Sequence, residues 1–589
     1  MACFKIGINM AGAISAGAYT AGVLDFLTEA LDEWYAAKKR GEAVPMHDIC
    51  IEVFSGASAG GMCAAISSVM LYRNFEHIHD VNQQNTTNIF YESWVNKIDI
   101  VPLLNNDDLS SRGPIISLLN SAIIGCIAEY ALKPSGSPPV YRPYVSPNLT
   151  LFLSLTNLRG VPYSLNGEAP GSIEETTFFY GDRIRFQTIS GNSMPVGSEY
   201  IRTLDLTTPG AAGGWDVLQT AAMATGAFPV FLAPRILDRN LAEYTPPPWE
   251  SVVSAATGTP PPIPPNIPKD AGDPYVTLNV DGGVTNNDPF NYSHDYLVAL
   301  APKAIDKSSE DPATVDRAVI GIAPFPTTDT FDPDFNAKTA EAVLSALPSL
   351  FSALISQSRF FGEALSAIMN GASFDRYVIA PSDDELTAHY RKSAGAKPSK
   401  QPPALQCATL GAFGGFFCRA FRAHDYALGR RNCQKFLRDY FVLPADNVVM
   451  KPSLDSLDQS VRSTVIETFS RPAPGTYAEA GTTIQGTGGT LPTAQGEAGR
   501  TWIPLIPLCG TAIAEAERPA REKISSSDVK KIVGLVQKRL RKLGGVFVSQ
   551  VEDFGLRWFL WPGPVFISWL AGPKIKRAIV KGLGDSYQP

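Results

Sequence analysis

The chain has 589 residues, 44% of them hydrophobic and 18% charged, and a formal net charge of −7. That length leaves room for two or more domains, the composition is that of a globular chain rather than a disordered one, and the acidic balance excludes nucleic acid as the main partner. Eight scattered cysteines, none in a C-x-x-C pair, give no support to a zinc site or a disulfide framework and read as buried free thiols in a reducing compartment.

Phe4 to Asn9 reads as a buried strand that runs into a loop of small residues, Ala11-Gly12-Ala13-Ile14-Ser15-Ala16-Gly17. A helix follows, with Val23, Leu24, Leu27, Leu31 and Trp34 on one face, Lys38-Lys39-Arg40 in its last turn and Gly41 as its cap. The stretch Ile6 to Leu27 imitates a signal peptide, but Asp25, Glu29, Asp32 and Glu33 continue one helical pattern, so it is taken as mature structure. Ile49 to Phe54 is the next strand. Strand, helix and strand with apolar strands predict a parallel sheet covered on both faces.

That second strand delivers Gly56-Ala57-Ser58-Ala59-Gly60, and a helical run of small residues follows to Leu71. A strand, a tight turn and a helix around G-x-S-x-G form a nucleophile elbow, with Ser58 held in a strained turn and Gly56 and Gly60 letting strand and helix pass closely. The hydroxyl then stands at a helix N-terminus, which favours negative charge. The Gly12–Gly17 loop can turn backbone N–H groups toward a developing oxyanion. A dinucleotide site is excluded there, because Ile14 stands where G-x-G-x-x-G needs glycine.

Residues 72–148 are mixed, with a helical pattern from Ile115 to Leu132; Leu149 to Thr156 returns to the strand period. Trp215 to Gly226 predicts a helix ending at Ala227-Phe228-Pro229, and Phe231 to Leu237 a strand. Residues 246–268 hold nine prolines and predict a semi-rigid surface excursion. Tyr275 to Val280 is a strand that delivers Asp281-Gly282-Gly283, and Arg317 to Ala323 is one more. Beyond it the pattern is mainly helical, over Thr339 to Met369 and Phe416 to Tyr440, with a Gly/Thr-rich loop from Gly475 to Gly499. Among the six histidines, His77-Ile78-His79 lacks the carboxylates or cysteines that would complete a metal site, and neither a metal nor a cofactor is expected.

Three motifs in order, Gly17-Ala18-Tyr19-Thr20-Ala21-Gly22-Val23-Leu24, Gly56-Ala57-Ser58-Ala59-Gly60 and Asp281-Gly282-Gly283, resemble the patatin-like phospholipase family, as does Leu218 to Pro229 ahead of the last strand. The resemblance covers residues 4 to about 325. It implies a three-layer α/β fold with helices on both faces of the sheet, and a Ser–Asp dyad. Ser58 would be the nucleophile, Asp281 its base, and the amides of Gly12, Ala13 and Ile14 the oxyanion hole. The substrates implied are phospholipids or other acyl-ester lipids, cleaved through a serine acyl-enzyme. The family's loop reads Gly-Gly-Gly-x-Arg/Lys-Gly, so residues 12–17 depart from it: two glycines are replaced and the basic residue is absent. That departure keeps open a catalytically weak lipid-binding scaffold. An α/β-hydrolase with a Ser–Asp–His triad through His294 or His424 is disfavoured, since one strand alone precedes the one that leads into the elbow.

Phe421 to Asn432 resembles a shared C-terminal segment of longer bacterial patatin-related proteins; from its residues alone it is a helix with Arg and His on a polar face. The division expected is a catalytic domain over 1–325 and a mainly helical region over 326–589. Its tail, 521–589, carries 13 Lys/Arg against 5 Asp/Glu. Val529, Ile532, Val533, Val536, Leu540 and Leu543 line one helical face there, and Trp558, Phe559, Trp561, Phe566 and Trp569 follow. This pattern suits peripheral contact with a membrane surface, and equally a helix packed on the catalytic domain. Trp558 to Ala571 is too short to span a bilayer, so a cytoplasmic chain with peripheral attachment is expected.

Overall fold

A computed structural model describes residues 3–589 except 111–112, 134–137, 166–174, 191–200, 208–213, 259, 301–310, 326–372, 384–385, 387–401, 472–499 and 550–562. The helix expected over Thr339–Met369, the loop over Gly475–Gly499 and the aromatic residues Trp558, Phe559 and Trp561 lie outside the described residues, as do the side chains of Phe566 and Trp569.

Among the described residues the expected strands and helices follow one another in order, with further strands and helices between and after them. Strand β1 is Cys3–Met10, helix α1 Gly17–Arg40, β2 Asp48–Gly56 and α2 Ala59–Met70. Gly41, at φ 74°, caps α1 by donating its N–H to the carbonyls of Ala37 and Lys38. Then come α3 (Ala122–Leu132), β3 (Val145–Leu165), β4 (Glu175–Ile189), β5 (Arg202–Asp205), α4 (Gly214–Thr225), β6 (Arg235–Arg239), β7 (Tyr275–Asp281), α5 (Phe290–Ala299) and β8 (Arg317–Ile322). Further along, β9 is Arg376–Ile379, α6 Arg419–Asp439, α7 Ser526–Ser549 and α8 Gly563–Leu583.

The main sheet has nine strands, in the order β5-β4-β3-β2-β1-β8-β9 with β7 joining β3 and β6 joining β7. Its centre is parallel, as the apolar strands predict, but β3 pairs antiparallel with both β4 and β7. Alternation along β1 sorts the layers. Phe4, Ile6, Ile8 and Met10 share a core with α1 and α2, while Gly7 faces Ser293, Val53 and Leu297 under α5. Phe290, Tyr296 and Leu297 of α5 close the opposite face over Val53, Phe152 and Val319. This is the three-layer α/β arrangement.

Four local expectations change. Helix α3 begins at Ala122 rather than Ile115. The strand expected from Phe231 starts at Arg235, because Pro229 and Pro234 bracket a turn in which Val230 takes φ +70°. The proline-rich stretch opens with a helix, Pro248–Thr257, whose first proline sits where no N–H is needed. Cys126 is exposed, against the expectation of buried thiols.

The second, C-terminal motif explains itself through α1. Gly22 of α1 abuts the Tyr426 backbone of α6, and Gly429 abuts the Tyr19 backbone: a Cβ on Gly22 would lie 2.8 Å from the Tyr426 carbonyl carbon. Arg430 then reaches Asp25 and Glu29 inside this contact. Burial alone would raise the Asp25 carboxyl, but Arg430 and His77 beside it hold it at about 2. Arg430→Ala removes the buried cation that these two carboxylates share and is expected to cost about 3–5 kcal/mol, read as a lower midpoint in chemical denaturation.

Candidate active site

Ser58 ends the turn from β2 into α2 with φ 52° and ψ −129°, a conformation that side-chain-bearing residues rarely hold. The flanking glycines are demanded by crowding. A Cβ on Gly56 would come 2.6 Å from the Gly60 carbonyl carbon, and one on Gly60 2.6 Å from that of Met10. The Ser58 backbone N–H donates to Thr225 Oγ1 at 3.0 Å, and Thr225 Oγ1 donates to the Ser154 carbonyl at 2.7 Å. The last residue of α4 thus pins the elbow.

Asp281 ends β7. Its backbone N–H donates to the Ala227 carbonyl at 2.9 Å, and Thr156 Oγ1 donates to its carbonyl at 2.8 Å. Ser58 Oγ donates to Asp281 Oδ2 at 2.7 Å, across 223 residues of sequence. The Gly283 N–H donates to Oδ1 at 2.7 Å, so the turn begun by Gly282 fixes the carboxylate plane. Burial raises the Asp281 carboxyl to about 7, although the hydrogen bonds from Ser58 and Gly283 pull it down.

The loop after β1 lies against this pair; a Cβ on Gly12 would be 3.0 Å from Ser58 Cβ. Its amides divide differently from the expectation. The Gly12 N–H donates to the Asn287 carbonyl at 3.0 Å and is therefore committed. Those of Ala13 and Ile14 have no backbone acceptor among the described residues, and Ile14, a β-branched residue at φ +48°, is strained. Gly17 starts α1. The strain is held from the C-terminal half: the Ser15 N–H and Oγ both donate to the Ala412 carbonyl, at 3.2 and 2.5 Å, and the Gly415 N–H donates to Ser15 Oγ at 3.0 Å. Leu410, Gly411 and Ala412 all have positive φ. This brace leaves no mark in the sequence, because nothing in its spacing ties Ser15 to a residue 397 positions away.

Ser58 and Asp281 form the polar end of a cavity of about 100 Å³. Its walls are otherwise almost wholly apolar: Met62 and Ile66 from α2, Ile124, Ile127 and Leu132 from α3, Ala222 and Met223 from α4, with Phe228, Phe413 and Phe416. The described histidines bond elsewhere. His294 faces Asp295 and Asp375, His424 Nδ1 meets Asp425 at 2.7 Å, and His47 Nε2 meets the Leu505 carbonyl. His77 pairs with Asp25 and His79 with Glu29. No hydrogen bond joins any of them to Ser58 or Asp281 among the described residues.

The molecule is thus an α/β protein whose elbow serine is hydrogen-bonded to a buried aspartate at the end of an apolar cavity. A family model described as patatin-like phospholipase matches residues 9–293. An uncharacterised protein, y4iI, of Sinorhizobium fredii (strain NBRC 101917 / NGR234) is 31% identical over 579 residues, covering 93% of this chain and 76% of its own. The crystal structure of VipD from Legionella pneumophila aligns with 99% of this chain and 90% of its own at 10% identity and a TM-score of 0.23, too distant to bear on the fold. The chain belongs to the patatin-like phospholipase family, which places its activity broadly among lipid acyl hydrolases. No helix among the described residues is long and apolar enough to cross a membrane.

Proposed function

We propose that this protein is a serine lipid acyl hydrolase working through a Ser58–Asp281 dyad. The observation that carries this reading is the 2.7 Å hydrogen bond between the two side chains at the end of an apolar cavity. Asp281 takes the Ser58 proton as Oγ attacks the ester carbonyl. The oxyanion accepts N–H bonds from Ala13 and Ile14. Collapse of the tetrahedral species expels the alcohol, which leaves with the proton held on Asp281. Water then attacks the acyl-enzyme, Asp281 again accepting a proton that returns to Ser58 as the free acid departs. The apolar walls suit the acyl chain, and phospholipids of the phospholipase A type, lysophospholipids or simpler acyl esters are the substrates proposed.

The catalytic unit proposed extends past residue 325, because β9 completes the sheet and the brace on Ser15 comes from residues 412–415. The basic tail is proposed as the part that meets a bilayer. Labelling by an active-serine fluorophosphonate, lost in Ser58→Ala, together with fatty-acid release from a lipid panel, tests the hydrolase reading; an inert Ser58 would leave the lipid-binding scaffold. Ser15→Ala frees the strained loop and is expected to lower kcat roughly tenfold while KM holds, since the loop's amides matter most in the transition state. Steady-state kinetics on one ester settles this, and Ser15→Thr should recover part of the loss.

A further inference from the structure

At the rim of the cavity two short segments meet edge to edge. The Leu118 N–H donates to the Val230 carbonyl at 2.9 Å, and the Leu119 N–H to the Phe231 carbonyl at 3.0 Å. Leu119 and Leu232 face the cavity. The residues beside them face out: Ile116, Leu118, Val230 and Phe231 are 59, 37, 58 and 38% exposed. Val230 is held in the left-handed region, which a β-branched residue seldom occupies, so the fold spends strain on presenting an apolar side chain to solvent. Phe231 rests on Phe228 and Phe413 at 5.7 and 5.5 Å between ring centres, which makes the exposed rim continuous with the cavity wall.

Helix α7 is fastened to this lip. The buried Arg539 donates to the Leu118 carbonyl at 2.9 Å and forks onto Asp108. Leu543 and Val546 pack on Leu109 and Ile115, which brings the exposed Phe547 and Ile116 each one residue beyond a packed contact. The amphipathic stripe read from the sequence is mostly used up inside the protein: Val529, Ile532, Val533 and Leu543 are buried. From Val529 to Ser549 the helix carries six Lys/Arg and no Asp/Glu, and Lys538, Arg541 and Lys542 are exposed beside Leu540.

We propose that this lip and the basic flank of α7 form a docking surface for an anionic bilayer, seating the cavity mouth on the lipid. The proposal rests on the lipid-hydrolase reading for its purpose, but its contacts do not need catalysis. Charge complementarity selects the occupant: exposed apolar groups enter the interface while a cluster of like-charged cations, held in a chain of net −7, meets phosphate headgroups. A second copy of this chain would bring the same cations against themselves.

The test uses full-length Ser58→Ala protein in flotation with vesicles of phosphatidylcholine alone or mixed with phosphatidylglycerol. Tighter binding to the mixed vesicles, weakened by salt, is expected. Lys538→Glu with Lys542→Glu should remove the anionic preference, a loss of roughly tenfold or more. Ile116→Asp with Val230→Asp should abolish binding to both kinds of vesicle. In Ser58-bearing protein both double variants should hydrolyse a short soluble ester like the parent, which also certifies their fold. No binding by the parent, or unaltered binding by both variants, overturns the proposal. So does light scattering that finds a dimer which the Ile116→Asp/Val230→Asp variant dissociates, since the lip would then be a self-association surface. Binding that holds while the Ser58 protein cleaves no ester would instead sink the hydrolase reading and leave the docking surface standing.

Discussion

Asp281→Asn is expected to reduce ester hydrolysis by on the order of 10⁴-fold or more, and Ser58→Ala to do the same, each with the fold intact. The asparagine can keep both contacts of the aspartate, its Oδ1 accepting the Gly283 N–H and its Nδ2 donating to Ser58 Oγ. What it cannot do is take a proton. Because burial raises the Asp281 carboxyl to about 7, the proposed base is half-protonated at neutral pH. In the parent, kcat/KM should therefore climb tenfold per pH unit below about 7 and level off above it. A carboxylate with an ordinary pKa near 4 would give a flat profile across that range, so a flat profile removes the base from this environment. His294→Gln and His424→Gln should leave kcat standing, which a Ser–Asp–His triad forbids. A histidine that proves essential would overturn the dyad.

The elements proposed to carry this chemistry were legible where local physics dictates them. Ser58 announces itself because a strained turn between strand and helix needs small neighbours, and Gly56 and Gly60 are crowded by backbone on both sides. The edges of α1 were legible from its apolar face, its basic last turn and Gly41. What stayed hidden depends on distant partners. Gly12 was expected to donate to an oxyanion, yet its N–H is held by Asn287, a residue from the turn after β7. Thr225 sits inside the stretch that carried the family resemblance, but its bond to the Ser58 N–H follows from how α4 packs. The missing basic residue in the 12–17 loop also has a spatial setting: Ala16 is fully buried, beside a Ser15 tied to Ala412 and Gly415. In the tail, periodicity found the apolar stripe of α7 and could not say that α7 turns it inward.

The asparagine expected to abolish hydrolysis should also make the protein more stable at alkaline pH, as proton linkage requires. In the unfolded chain the Asp281 carboxyl titrates near its ordinary value of 3.8; in the folded chain it titrates near 7. Below about pH 4 both states hold the proton and the group costs nothing. As pH rises from there to about 7, the unfolded chain has released a proton that the folded chain still binds, so the native state loses ground. Above about 7 both are ionised and the folded state carries the whole penalty of a buried charge, on the order of 4 kcal/mol. The Asp281→Asn variant escapes it, since its amide stays neutral while fitting the same two hydrogen bonds. Thermal melts of Asp281→Asn should therefore exceed the parent by several degrees at pH 8 and coincide with it near pH 4. Ser58→Ala leaves the carboxylate buried with one donor fewer, and should melt below the parent at pH 8. If the asparagine variant is no more stable than the parent at pH 8, Asp281 is not a desolvated carboxylate, and its fitness as the base for Ser58 goes with it.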